Sequence, residues 1–490
     1  MNLSKSRYCD YMYCPKHCWL NIHKPEECEI DPSAEQHMSD GHKVGELAKG
    51  LFGEFCDVTT ERDGHLDIPT MINKTQEHLK TGAETICEAA FSADGCYCAV
   101  DALHKENGGY AIYEVKSTTK ENGYEHDVAY QKFVLEKCGV KITGTYLVNI
   151  NNQYVRNGDI DIHQFFKITD YAPRIAEHEK LVAENCEQAK IILDKTDEPI
   201  VPLQYGCDNC DFWAYCSKDI PKPSVLDLGG RINKWYLFQN GIVTFYDVLK
   251  NDIKLSPKQQ RQIDYALNDL GTYVDKNAIR KYMGELSYPL YFLDFETMAP
   301  VIPEIDGTRP YQAIPFQYSL HFVKGEHDEV QHMEFLGEPE IDPRRALAEQ
   351  ICNDIPKGVC VLAYHASVER GIVQKLAEEF ADLSEHLNNI ASNIKDLETP
   401  FSKGWYYNRA MGKWSSIKVV LPAIYPDDPE LDYHNLDEVH NGTEAMTIFL
   451  KMKDMQPDER ERTRQNLLKY CKLDTYAMVK LWQELVRVSK

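Results

Sequence analysis

No stretch of this sequence approaches the roughly 18 consecutive apolar residues that a membrane-crossing helix needs, which excludes a helical membrane span. The first twenty residues, MNLSKSRYCDYMYCPKHCWL, are polar, aromatic and cysteine-bearing. They lack the apolar core of a signal peptide, so a cytoplasmic location is the expectation. Positive charge is also scarce: 54 Lys and Arg stand against 77 Asp and Glu, a net charge of −23. Phosphate binding is driven by Lys and Arg, and this balance argues against broad, non-specific nucleic-acid binding. It still leaves room for a local basic groove beside carboxylate-rich metal sites. Neither a Walker A nor a GxGxxG sequence occurs, so ATP-driven unwinding would fall to a protein partner such as a helicase.

What is present is enough chain for more than one core: 490 residues, 43% hydrophobic. Sixteen cysteines without an export signal point to buried thiols and metal ligands rather than disulfides. Apolar residues fall at helical intervals over 34–55. Strand-like runs then follow (ETICEAAF, CYCAVDAL, YAIYEVKST), separated by the Gly turns DG and NGG. The helix HDVAYQKFVLEKCG, the strand KITGTYLVNIN and a helix over 170–194 lead to a cysteine cluster and the linker SKDIPKPSVLDLGG. A mostly helical connector covers 225–286. From 287 strands and helices alternate again, ending in one long helix, as in an α/β sheet domain. The expected division is therefore 1–222, a connector over 223–286, and 287–490.

In CAVDALHKENGGYAIYEVKSTT, one strand carries Asp101 and the next carries Glu114 and Lys116. Residues i and i+2 of a strand share a face, so Glu114 and Lys116 point the same way and a paired hairpin brings Asp101 near them. Converging carboxylates repel unless a cation lies between them, and hard Mg²⁺ or Mn²⁺ suits oxygen ligands. Such an ion would polarise a phosphate while Lys116 orients water or steadies developing charge. The pattern resembles the RecB-like branch of the PD-(D/E)xK superfamily, which implies a restriction-endonuclease-like fold cutting DNA, at single strands or ends. The resemblance adds Glu88 as an acidic metal ligand on the preceding strand and Gln131 as the branch's glutamine on the following helix. Two positions depart from it. Leu135 stands where the glutamine motif often has Tyr, and Gly45 where many relatives have a metal-binding His. His42, on the same helix face, is the candidate substitute.

Cys207, Cys210 and Cys216 form C-x2-C-x5-C, and Cys14 lies near the N-terminus with Cys9 and Cys18 beside it. Three close thiolates and a distant one suit a tetrahedral metal or an iron–sulfur cluster. Behind a RecB-like core this looks like the AddB-type and CRISPR-associated RecB-like exonucleases. There, one cysteine before the fold and three after it hold a [4Fe–4S] cluster. The resemblance selects Cys14, which precedes Pro and then Trp; Zn²⁺ is the alternative from spacing alone.

In the second half, YFLDFET puts Asp294 and Glu296 at i and i+2 of an apolar strand, and YCKLDTYAM puts Tyr470 and Asp474 at i and i+4 of a helix. Together these resemble the DnaQ-like DEDD exonucleases of the Y-x3-D subclass, with an RNase H-like fold. Acidic residues there bridge two metals about 4 Å apart and the Tyr helps position the attacking water. Relatives have a third Asp where LAYHASVERG offers Glu369; Asp396 is the alternative ligand. His365 lies beside Glu369 as a candidate lining residue. SSIKVVLPAI and GTEAM further resemble a bacterial family of unknown function built from the same pair of domains. The expectation is a two-site nuclease, cutting DNA at the first site and removing 3′-terminal nucleotides of DNA or RNA at the second. The rival readings are a nucleic-acid-binding or scaffold protein with one or both sites inactive, and a zinc-ribbon adaptor.

Overall fold

The computed structural model describes residues 3–30 and 34–490, apart from the His434 side chain. Packing divides the chain into two units, Met1–Lys218 with Pro300–Tyr311, and Asp219–Ala299 with Gln312–Lys490. Both pack helices against a mixed sheet, so the α/β expectation holds.

In the first unit the sheet runs in the order Cys56–Asp57, Thr85–Ala93, Cys96–Glu106, Gly109–Lys116, Ile142–Ile150, Phe166–Asp170, and Leu3–Ser4 also pairs with the third of these. Its centre is made by sequence-local rules. Asp94-Gly95 and Asn107-Gly108 both take positive φ at each residue, the type I′ geometry whose twist matches paired strands. They fold Thr85–Ala93, Cys96–Glu106 and Gly109–Lys116 into an antiparallel meander. The next strand, Ile142–Ile150, returns parallel to Gly109–Lys116 through the helix Glu125–Lys137. Phe91, Val100, Ile112 and Leu147 of the sheet bury against Val128 and Val134 of that helix and Val182 of the helix Ala172–Leu193. The opposite face packs Cys87, Ala102 and Val148 on Val44 and Ala48 of the helix Ala34–Lys49. At the N-terminus, Leu3 and Ser4 align parallel with Cys96 and Tyr97, and Ser4 Oγ caps the helix Lys5–Tyr13 by accepting from Arg7 N–H.

The second unit's sheet has the order Gln331–Leu336, Ile314–Val323, Leu290–Met298, Cys360–Ala363, Ile394–Asp396. The first three strands are antiparallel and the last two run parallel to Leu290–Met298. Leu293, Leu320 and Val361 pack on Leu347, Val373 and Ile390 of three helices. Phe292 and Leu362 of the other face meet Met478, Leu481 and Trp482 of the helix Pro457–Ser489.

The connector over 223–286 is not a body of its own. Its strand Thr272–Val274 pairs with Tyr406–Asn408, and its Ile279 and Tyr282 sit in the same core as Trp482. Long-range pairing that helical periodicity cannot announce therefore assigns it to the second unit. The unit boundary falls inside the linker SKDIPKPSVLDLGG. Among the described residues no helix is long and apolar enough to cross a membrane.

Candidate functional site

The two carboxylate constellations lie in different units. In the first, Asp101 Oδ2 accepts from Val115 N–H at 2.6 Å, which sets its carboxyl beside Glu114. Glu114 is 1% exposed. Its Oε1 takes Lys116 Nζ and Lys5 Nζ, each at 2.8 Å, and its Oε2 takes Gln131 Nε2 at 2.6 Å. Lys116 also reaches Asp127 Oδ2 at 2.8 Å. Burial alone would raise Glu114, but the two ammonium groups outweigh it and hold the carboxyl far below its ordinary value. On Asp101 burial, then repulsion by Glu114, outweigh the charge of Lys5 and push it up to about 7. Glu88 is raised as well, chiefly by burial. It sits opposite Asp101, between the pairs Cys87–Ala102 and Ala89–Val100, with a φ of +56°. A left-handed non-glycine residue costs on the order of 1–3 kcal/mol and persists where surroundings impose it, often at functional sites. Glu88, Asp101 and Lys116 line a cavity of about 370 Å³ with His42 and Gly45. A Cβ added at Gly45 would meet nothing within 4 Å, so the place where relatives carry His is open.

The sequence reading gathered Glu88, Asp101, Glu114, Lys116 and Gln131, and all five come together here. It missed Lys5 and Asp127. Asp127 shares a helix face with Gln131 at i and i+4, a spacing that could have revealed it. Lys5 is 109 positions from its partner and carries no local signal.

Cys14, Cys207, Cys210 and Cys216 line one cavity of about 100 Å³, walled by Leu20, Phe212 and Trp213. Cys9 and Cys18 turn elsewhere: the Cys9 thiol donates to Asp127 Oδ1 at 2.9 Å and that of Cys18 to Arg7 O at 3.3 Å. The N-terminal cysteine lining this cavity is thus Cys14. Among the described residues, one ligand atom each of Asp294, Glu296 and Cys471 lie within 4.8 Å of one another.

In the second unit Asp294 and Glu296 stand on the strand Leu290–Met298. Asp474 and Tyr470 face them from the helix Pro457–Ser489, and Glu369 comes from the first turn of Ser367–Glu379. All three motifs converge. Asp294 is raised well above the carboxylate range by burial and then by the charges of Asp474, Glu296 and Glu369. Burial, with repulsion from Asp474, pushes Glu296 up to about 8. Burial likewise takes Glu369 to about 7 and Asp474 to about 6, the latter restrained by the hydrogen bond from Tyr433. Asp474 Oδ2 and Glu369 Oε2 are buried without a hydrogen-bond partner, which folded proteins avoid unless something else satisfies them. Lys418 supplies the cationic counterweight felt by Asp294, Glu296 and Asp474. Glu296 Oε2 also lies 3.4 Å from the Cβ position of Gly442, the first residue of the helix Gly442–Lys451, whose positive end favours a carboxylate.

The alternative ligand Asp396 has another task. Its Oδ1 accepts from His365 N–H at 3.1 Å and Glu398 N–H at 2.9 Å, while the charge that reaches Asp294 is that of Glu369. Glu369 thus brings its charge to Asp294 from the first turn of its helix, where an Asp was expected. The sequence reading also missed Tyr433, whose hydroxyl donates to Asp474 Oδ1 at 2.7 Å, and Cys471, buried 4.0 Å from Asp294 Oδ2. Asp294, His365, Glu398 and Asp474 line a cavity of about 270 Å³.

Residues 291–415 match the model of a domain of unknown function, DUF2779. The match holds Asp294, Glu296, Glu369, Asp396 and Glu398 and stops short of Tyr470 and Asp474. No curated protein matches the chain.

Proposed function

We propose that this protein is a metal-dependent nuclease with two phosphodiester-cleaving centres. The first would be a PD-(D/E)xK-type DNA nuclease acting on single strands or ends. The second would be a DEDD-type exonuclease with an RNase H-like fold, removing 3′-terminal nucleotides of DNA or RNA. One observation carries the reading: Asp294, Glu296, Glu369 and Asp474, drawn from three separate stretches, cluster with Asp294 half-buried and the other three buried, with raised proton affinities and two orphaned oxygens. Burying like charges is costly unless cations join them. Mg²⁺ or Mn²⁺ held by those four residues, or by Glu88, Asp101 and Glu114, would polarise the phosphate and acidify a water.

The chain's own groups would do the rest. Tyr470, one helical turn from Asp474, would hold the attacking water by its hydroxyl, and Tyr433 fixes the orientation of Asp474. At the first centre Lys116 would steady charge on the phosphate, while Gln131 Nε2 fixes the carboxyl of Glu114. The four-cysteine set would carry a [4Fe–4S] cluster, with Zn²⁺ as the alternative, tying Cys14 to the end of its unit. Cytoplasmic action beside a helicase-like partner accords with the missing ATP-binding motifs.

The rival reading, a binding or scaffold protein, draws support at the first centre from Glu114, whose two oxygens are already taken by Lys5, Lys116 and Gln131. Asp101→Ala and Asp294→Ala, each assayed with Mn²⁺ on labelled single- and double-stranded substrates, separate the two. Each change should remove one activity and spare the other. Degradation undiminished by both changes would rule out the nuclease reading.

A further inference from the structure

One group at the second centre is unused by this mechanism. His365 follows the strand Cys360–Ala363 in the turn into the next helix with a φ of +63°, a left-handed conformation uncommon outside glycine and adopted more readily by His, Asn and Asp than by other residues. Its surroundings impose it. Asp396 Oδ1 receives both the His365 and Glu398 backbone N–H groups, and Leu397 N–H bonds Ala363 O at 2.9 Å. The ring is fixed as well: His365 Nδ1 lies 3.0 Å from Glu398 Oε2, and Glu398 Oε1 accepts from Ser415 Oγ at 2.7 Å. Glu398 is largely buried while His365 is 68% exposed. A held imidazole therefore stands on the rim of the 270 Å³ cavity whose other walls are Asp294, Asp474, Tyr364, Ile417 and Met478. Both carboxyl oxygens of Glu398 are spent on holding partners, so the free functional atom of the array is His365 Nε2.

We propose that the His365–Glu398 pair is a phosphate-recognition element of the second centre, with Nε2–H bonding a phosphate oxygen of the strand whose end lies at Asp294 and Asp474. The assignment rests on the nuclease reading of that centre. An imidazole whose Nδ1–H is given to a carboxylate keeps Nε2–H as a charge-assisted donor when protonated, and phosphate oxygens are its natural acceptors. The apolar walls opposite leave room for the sugar and base. No covalent step is assigned to His365; it holds the strand in register with the carboxylates.

The test uses the full-length chain carrying Asp101→Ala, so that only the second centre acts, on 5′-labelled single-stranded DNA and RNA with free 3′ ends in Mn²⁺. His365→Asn is the main variant because Asn tolerates the left-handed backbone; Glu398→Gln is the second. Loss of one charge-assisted hydrogen bond should lower kcat/KM about tenfold to a hundredfold for His365→Asn, mostly through KM. Glu398→Gln should fall between it and the parent. The slope of log kcat/KM against log salt should also shrink, by about 0.7, the value expected per phosphate contact on a single strand. A merely structural role would leave that slope alone. Unchanged slope and rate in His365→Asn, while Asp294→Ala abolishes degradation, overturns this inference alone. Degradation that survives Asp294→Ala overturns the nuclease reading with it.

Discussion

Replacing Asp294 by Asn should make the metal-free protein more stable while removing its response to metal. Glu296 shows why. Its carboxyl, ordinarily near 4.5, stands at about 8 in the folded protein through burial and the charge of Asp474. The folded state thus binds a proton more tightly than the unfolded state, so the stability associated with this group is present at low pH and is lost as pH rises from about 4.5 through about 8. At about 1.36 kcal/mol per pH unit, Glu296 alone withdraws roughly 3 kcal/mol by pH 7 and about 5 by pH 8. Asp294, raised further by its three acidic neighbours, adds to that. An amide at 294 keeps the shape and ends the repulsion. Scanning calorimetry in EDTA should show the second unit's transition rising by several degrees at pH 7 to 8.5 and hardly at all at pH 5.5. A gain of about 2 kcal/mol corresponds to a shift of roughly 4–8 °C in a domain of this size. Mn²⁺ should raise the parent's transition and leave that of the variant nearly unmoved. A metal-free parent that grows more stable between pH 5 and 8, or an Asn variant that melts lower at pH 8, would refute the reasoning.

Three further outcomes follow from other contacts. Lys5→Met leaves a buried carboxylate with one ammonium partner fewer; breaking such a pair costs about 3 kcal/mol, so first-centre cleavage, measured with Asp294→Ala present, should drop at least tenfold and Lys5→Arg should restore part of it. Tyr433→Phe removes the donor that restrains Asp474, and a hydrogen bond to a charged group is worth about 1.5–3 kcal/mol. The carboxylate cluster should then release its protons about one to two pH units higher, moving the pH midpoint of Mn²⁺ binding by calorimetry to the alkaline side; an unmoved midpoint contradicts the assignment. The four-cysteine cluster proposed above predicts a brown, iron-bearing protein that loses both colour and iron in Cys14→Ser and keeps both in Cys9→Ser and Cys18→Ser; loss in all three variants alike would show that the fourth ligand is misassigned.

What could be read from the sequence is what short-range chemistry writes there. The DG and NG turns specify hairpins, and strand and helix periods place Glu114 beside Lys116, Asp294 beside Glu296 and Tyr470 one turn before Asp474. Each of those pairs is local, and each arrives where the period puts it. The partners that complete the sites are not local. Lys5 meets Glu114 because a two-residue strand beside Cys96 and Tyr97 aims the first helix, and two residues give no periodicity to detect. Tyr433 reaches Asp474 from a single 3-10 turn, Tyr433–Asn435. The left-handed backbone of Glu88 breaks the strand rule that would have pointed its side chain. The 223–286 helices read as a connector because their apolar faces were visible and the surface they cover was not.

The two centres differ in how they balance charge, and that difference predicts which one leans on metal. In the first unit the acidic groups have cations built in: Glu114 holds Lys5 and Lys116, Asp127 holds Lys116, and Asp57, near Glu88, holds Lys49 at 2.6 Å. Asp101 is the member in which burial and repulsion prevail over the charge of Lys5, at about 7. In the second unit Asp294, Glu296 and Asp474 share the influence of Lys418, which spends its own hydrogen bond on His440 O, while Glu369 feels His365 and Arg370. Buried ion pairs of opposite sign roughly offset their desolvation, whereas unpaired like charges do not. Removing the acid that holds both cations should therefore lower metal-free stability, and removing one from the unbalanced centre should raise it. Glu114→Gln leaves Lys5 and Lys116 without their carboxylate and is expected to lower stability at pH 8 in EDTA by about 3 kcal/mol, against the rise for Asp294→Asn. A rise in both variants would mean that Lys5 and Lys116 do not neutralise Glu114, and that the carboxylates of the first centre depend on bound metal as heavily as those of the second.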